Sequence, residues 1–356
     1  YKDCFRIETE HNRFIECSYD HPLLVIDNPR VKKSKQKAVF KRAEDIIAGD
    51  KLLLLNNHNV FGEKEMKSAR LIGLLLGDGS YANCTTPTLS IATNDLYEYV
   101  NSNFDIGISK LMDCSNGDTY AQVYIKNIKN YLVELGIWGQ SKDKKELPKN
   151  IHQYDRYSIK EMLSGYFEAD GNVQLRNGNA IIKLTCKYRK MLEDIRYLLL
   201  KFGINSNIVK EKKGSSELKS TCNNKIYKLN KFDCYVLYIS KAEYVFRFIK
   251  EFNFISKSKQ ERLDSATIQL KRNMDLYENL LFDSNSKISS CYLADKSLLN
   301  NLESIKVKKC DPIGNKRIYN LTTSKTHTYV TNGFISHNTG GEENSDFTGA
   351  LELIQS

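Results

Sequence analysis

One apolar nonapeptide occurs twice in this chain, each copy closing on Asp-Gly: LIGLLLGDG at Leu71–Gly79 and LSGYFEADG at Leu163–Gly171. Glycine in a helix interior costs about 1 kcal/mol relative to alanine, so a helix that keeps it needs a packing reason. Gly73 and Gly77 are four positions apart and share one helix face, and Gly165 and Ala169 hold the same two places in the second copy. Small residues at that spacing let two helix backbones meet. Leu71, Leu74 and Leu75, with Leu163, Tyr166 and Phe167, then pack into the surrounding core, and Gly79 and Gly171 follow as C-cap residues. The repeat predicts a tight helix pair with Asp78 and Asp170 side by side at its C-terminal end, although they lie 92 positions apart (170 − 78).

Two anions so placed oppose each other and both helix dipoles. One copy alone reads as a packed helix with a capping aspartate. Two copies favour a different reading, in which a divalent cation neutralises Asp78 and Asp170. Mg²⁺ is the expected metal, because it takes hard oxygen ligands and keeps waters that can attack a phosphate.

The pattern around the nonapeptides repeats as well. Each helix runs into hairpin material and later into a Leu-rich helix ending in Gly-Ile, LVELGI to Ile137 and LLLKFGI to Ile204. This is an internal duplication of long period. In Tyr120–Lys126, Ala121, Val123 and Ile125 alternate with Tyr120, Gln122, Tyr124 and Lys126. After the second helix, Val173 and Leu175 alternate with Gln174 and Arg176, and Ile182, Leu184 and Cys186 with Lys183, Thr185 and Lys187. One sheet face is thus apolar and the other carries groups of the kind that can read base edges and hold phosphates. The net charge of +10 and the 21 tyrosines agree with a double-stranded DNA partner.

These residues resemble the LAGLIDADG homing endonucleases in their single-chain, two-repeat form, over about Ala69–Leu263. The resemblance implies an α+β domain of two αββαββα halves related by pseudo-symmetry, seated on DNA, with Asp78 and Asp170 as metal-binding acids. Leu76 and Glu168 stand at the motif's earlier acidic position, from which nothing is drawn. KDKKELPKNI at Lys142–Ile151 resembles the family's basic Leu-Pro segment and implies a phosphate-stabilising lysine, Lys145, with Lys187 or Lys183 as its partner in the second repeat.

A second chemistry is written at the chain's ends. IYNLTTSKTHTYVTNGFISHN, Ile318–Asn338, with Thr339 following, resembles the C-terminal junction of an intein. That likeness implies that Asn338 attacks its own carbonyl and releases Thr339, with His337 and His327 moving protons. CSYDHPLLV at Cys17–Val25 resembles the intein segment in which a hydroxyl residue and a histidine activate the upstream amide, here Ser18 and His21. The expected organisation is an all-β, horseshoe-shaped Hint-type splicing domain in two parts, 1–62 and 271–338. The endonuclease interrupts it at 63–270, and a host segment follows at 339–356. The usual first segment with its nucleophilic Cys or Ser is not seen, Cys4 being a poor substitute. Either a piece precedes Tyr1 or a separate N-terminal intein fragment supplies it. Asn320 stands where many relatives have Asp. The tail, TGGEENSDFTGALELIQS, resembles phage terminase large subunits, and host exteins are the protein partners. Two alternatives stay open: a degenerate intein that binds DNA without cutting, and a free-standing endonuclease or maturase.

No run of ~20 apolar residues is present, so no membrane partner is expected. The nine cysteines lack Cys-x-x-Cys spacing and read as free thiols, which with no visible signal peptide points to the cytoplasm.

Overall fold

The computed structural model describes residues 1–27, 37–55, 59–82, 84–114, 117–141, 145–176, 179–213, 216–219, 226–229, 232–266, 302–319 and 328–337. The chain forms two compact units. The first comprises Tyr1–Asn59, Leu200–Asn207 and Asn273–Ser356; the second comprises Val60–Leu199 and Ile208–Arg272. Among the described residues no helix is long and apolar enough to cross a membrane.

The chain opens with strands β1 (Lys2–Thr9), β2 (Phe14–Ser18), β3 (Pro22–Asp27), β4 (Lys37–Arg42) and β5 (Lys51–Leu55). Next come α1 (Ala69–Asp78), β6 (Gly79–Ser80), β7 (Thr88–Ile91), α2 (Asn94–Asn103), β8 (Ile106–Asp113), β9 (Thr119–Ile125) and α3 (Lys129–Glu134). The order then recurs in α4 (Arg156–Asp170), β10 (Gly171–Arg176), β11 (Asn179–Cys186), α5 (Arg189–Lys201), β12 (Asn207–Lys213), β15 (Phe232–Ile239) and α6 (Ala242–Glu251). Among the described residues only the small hairpin of β13 (Ser216–Lys219) and β14 (Ile226–Leu229) interrupts it. A helix over 257–266 follows. Strands β16 (Leu302–Lys316), β17 (Thr328–Thr331) and β18 (Phe334–His337) close the described chain.

In the first unit one eight-stranded sheet runs β17-β18-β3-β5-β16-β1-β2, with β4 paired to β3. The leucines of β5 show how the sequence builds it. Leu52 and Leu54 enter a core with Ile7, Ile15, Leu23, Val25 and Phe334, whereas Leu53 and Leu55 enter another with Leu24, Leu302 and Ile335. A strand buried on both faces reads as an unbroken apolar run. Asn332 and Gly333, at φ 51° and 88°, form the two-residue turn joining β17 to β18, a conformation that Asn-Gly adopts readily.

In the second unit the sheets are β6-β7-β9-β8 and β10-β11-β15-β12, so strands at equivalent places in the two halves take equivalent places in the sheets. Gly136 and Gly203, each at φ 71°, end the Leu-rich helices. Gly79 and Gly171 cap α1 and α4 in extended backbone, at φ −84° each, instead of the left-handed conformation. Glycine is required there by contact. A Cβ would lie 2.3 Å from the Leu75 carbonyl oxygen in one case and 2.3 Å from that of Phe167 in the other.

Two expectations change. Leu175, placed on the apolar face by alternation, is 37% exposed, because β10 is an edge strand. Cys114 is disulfide-bonded, while Cys4, Cys17, Cys84, Cys186, Cys234 and Cys310 are free.

Candidate functional site

Helices α1 and α4 touch through their backbones. A Cβ on Gly73 would lie 2.0 Å from the Met162 carbonyl oxygen, and one on Gly165 would lie 2.1 Å from that of Arg70. Further along, a Cβ on Gly77 would lie 2.3 Å from Ala169 Cβ and 3.4 Å from Asp170 Oδ2. The small residues therefore let the helices close, and closure brings Asp170 against the residue beside Asp78. Asp78 is exposed and Asp170 half-buried. Burial, and then the negative charge of Asp78, push the Asp170 carboxyl up to about 6, against the opposing pull of Lys145, Lys259 and a hydrogen bond from Tyr166.

The lysines reach the helix ends differently. Lys145 Nζ donates to the carbonyls of Leu76 (2.8 Å), Gly77 (2.8 Å), Gly79 (3.1 Å) and Leu75 (3.4 Å) at the end of α1. It stands where a helix dipole presents negative charge. At the end of α4 the equivalent place is taken by Lys259, whose ammonium donates to the Glu168 carbonyl. Lys187 is exposed after β11, and Lys183 Nζ lies 5.1 Å over the Tyr238 ring. Sequence reasoning missed Lys259 because its segment, SKSKQERLD, lacks the Leu-Pro string that marks Lys145. Position was the available signal: each lysine lies shortly after the last helix of its repeat.

Among the described residues no three His, Cys, Asp or Glu side chains form a metal cluster. Mg²⁺ needs fewer, since it is commonly held by one or two carboxylates plus substrate phosphates and waters. Two carboxylates crowded at helix C-termini fit such an ion.

In β9 the faces divide as the alternation requires. Ala121, Val123 and Ile125 are buried, while Tyr120 and Gln122 are half-buried and Tyr124 is exposed. Lys126 lies just beyond β9 and pairs with Asp105 at 3.0 Å. Gln174 is exposed, Lys183 and Thr185 are half-buried, and the Arg176 side chain lies outside those described.

In the first unit Ser18, His21, Ser336 and His337 are all buried. β3 and β18 pair at Leu23–Ser336, and the His21 and Tyr329 rings lie 6.0 Å apart. His337 packs edge-on to Phe40 at 5.2 Å. The Ser18 hydroxyl donates to Asp20, and the Ser18 carbonyl accepts from the His21 amide at 3.0 Å. His21 Nε2 and Ser336 Oγ are buried without a hydrogen-bond partner among the described residues. His327, Asn338, Thr339 and Asn320 lie outside those residues.

Burial lowers His21 to about 4. Its folded value is depressed, so its contribution to stability is complete above about 6.5 and is lost as pH falls toward 4. The loss amounts to ~3 kcal/mol. His21→Gln should flatten that acid limb of the first unit's unfolding curve, as followed by thermal melts between pH 7 and 4. An unchanged limb would refute the assignment.

The family model for the LAGLIDADG-like domain matches residues 158–253, from the first turn of α4 to just past α6. The chain carries a LAGLIDADG-like domain over that range. It is also 25% identical over 293 residues to the replication factor C small subunit of Methanocaldococcus jannaschii, covering 78% of this chain and 14% of that protein. To the DNA polymerase of Thermococcus sp. strain GE8 it is 23% identical over 368 residues, covering 96% of this chain and 19% of that protein. The chain thus spans under a fifth of the length of either relative. Among solved structures, the N-terminal LAGLIDADG domain of DUF199/WhiA aligns at 14% identity and a TM-score of 0.32, over 51% of this chain and 80% of that one.

Proposed function

We propose that the chain is part of an intein, with a LAGLIDADG endonuclease of two pseudo-symmetric halves inserted in a Hint-type splicing domain. The observation that carries the nuclease reading is the carboxylate pair at the α1–α4 seam, with Lys145 and Lys259 at the two helix ends. Asp78 and Asp170 would hold a divalent cation, with Mg²⁺ the expected one. When bound, it supplies Lewis acidity to a phosphodiester and acidifies water. The lysines hold positive charge beside the acids, where a phosphate's negative charge builds. The polar sheet faces bearing Gln122, Tyr124, Gln174 and Lys183 would lie on double-stranded DNA.

The relatives favour an inserted element. Proteins bearing two different names each match most of this chain, and in each the match is a minor part of the whole. An element that cuts DNA survives in its own gene if its presence interrupts the target. The source gene with the element's codons deleted is therefore the substrate to use. The full chain with Mg²⁺ should linearise a plasmid carrying that uninterrupted gene and spare one carrying the interrupted gene. Equal treatment of the two plasmids would end the reading.

The splicing reading rests on Ser18, His21 and His337 around the paired β3 and β18, at the end of which Asn338 follows in sequence. Cyclisation of Asn338 would release the 339–356 host segment. Asn338→Ala should abolish that release, followed by mass spectrometry of the tail peptide. Release at the unaltered rate would exclude cyclisation.

A further inference from the structure

Glu168 occupies the place in the second nonapeptide that Leu76 occupies in the first, and both side chains are buried. A buried carboxylate is costly unless its oxygens are hydrogen-bonded, and a leucine would pack there as Leu76 does. The Glu168 oxygens are fully engaged. Oε2 accepts from the Ile255 amide at 2.6 Å and the Ser256 amide at 3.4 Å, and Oε1 accepts from the Ser256 hydroxyl at 2.6 Å. All three donors lie on the segment that opens the helix over 257–266. Thr93 adds a hydroxyl contact to Ser256 at 3.2 Å, and Asp95 accepts from the Lys257 amide at 2.9 Å. At the start of that helix, Lys259 returns its ammonium to the backbone carbonyl of Glu168 itself. One residue therefore holds the segment by its side chain and receives the segment's lysine by its main chain.

We infer that Glu168 is a positioning residue for Lys259: its carboxylate fixes residues 255–256 against α4, so that the ammonium stands at the helix end beside Asp170. This rests on the nuclease reading. It also explains why the two repeats differ at this place. Lys145 is held by three carbonyls of α1 and that of Gly79, and Leu76 has no carboxylate with which to hold a segment.

The test is single-turnover cleavage of the uninterrupted-gene plasmid by the full chain in Mg²⁺, with affinity measured on the same DNA without metal. A misplacement of about 1 Å can cost on the order of 10²-fold in rate, and a smaller one about 10-fold. Glu168→Gln should therefore slow cleavage by about that factor while leaving DNA affinity within about twofold. It should cause no further loss in a Lys259→Met background, because a residue acting through another is non-additive with it. Ser256→Ala removes a single donor, is milder to the fold, and should show the same direction and the same non-additivity. Wild-type rates for both single variants would overturn the inference. So would an equal slowing by Glu168→Gln with and without Lys259. Asp170→Asn in the same assay separates the two levels. If it is inactive while Glu168 has no effect, only the Glu168 inference falls; if it cuts normally, the nuclease reading falls with it.

Discussion

Asp170→Asn and Asp78→Asn should each abolish Mg²⁺-dependent cleavage of the uninterrupted-gene plasmid while leaving DNA binding intact. Each change removes one of the two carboxylates paired at the C-terminal end of the seam but keeps side-chain size, so the helix pair survives. Loss of an interaction that stabilises only the transition state lowers the rate without weakening binding. Removing a single electrostatic group of this kind costs about 10²–10³ in rate, and losing half of a two-carboxylate metal site should exceed that. The metal response gives an independent reading. Wild-type protein should gain thermal stability on adding Mg²⁺, because a ligand that binds only the folded state stabilises it. Asp170→Asn should lose that gain. Cleavage at the wild-type rate by either variant would sink the two-acid assignment.

Gly73→Ala and Gly165→Ala should be among the most destabilising single-methyl changes in the second unit. The added Cβ would lie 2.0 Å from the Met162 carbonyl oxygen in the first case and 2.1 Å from that of Arg70 in the second. Neither obstacle is the end of a flexible side chain, so the helices must separate. Overpacking of this kind costs about 3 kcal/mol. For a unit of this size that lowers Tm by roughly 6–12 °C. Gly77→Ala differs in kind, because its clash is with Ala169 Cβ at 2.3 Å. The paired change Gly77→Ala with Ala169→Gly should recover most of the stability that Gly77→Ala loses, whereas no side-chain change should rescue Gly73→Ala. Thermal melts of the four variants check this. A Gly73→Ala protein that melts with the wild type would contradict the backbone contact.

The nonapeptide by itself gave the helix pair, the contact through small residues and the adjacency of Asp78 and Asp170. Those follow from short-range rules: glycine is costly in helices, residues four apart share a face, and a repeated pattern of small and apolar residues builds a like element. Alternation likewise gave the buried faces of β9 and β11. The same local rules erred at Leu175, because alternation assigns a side chain to a face and says nothing of whether anything covers that face at a sheet edge.

Only the tertiary structure shows which lysine stands at the end of α4. Lys183, Lys187 and Lys259 are indistinguishable as residues in a basic chain. The choice depends on which segment passes the end of α4, and that is settled by bonds between residues far apart in sequence, such as Glu168 to Ser256 and Asp95 to Lys257. The first unit makes the same point. Ser18, His21 and His337 become neighbours of one pairing because β3 and β18 lie side by side, although more than 300 residues separate them. Local chemistry fixed which residues could act; chain-distant hydrogen bonds fixed which of them stand together.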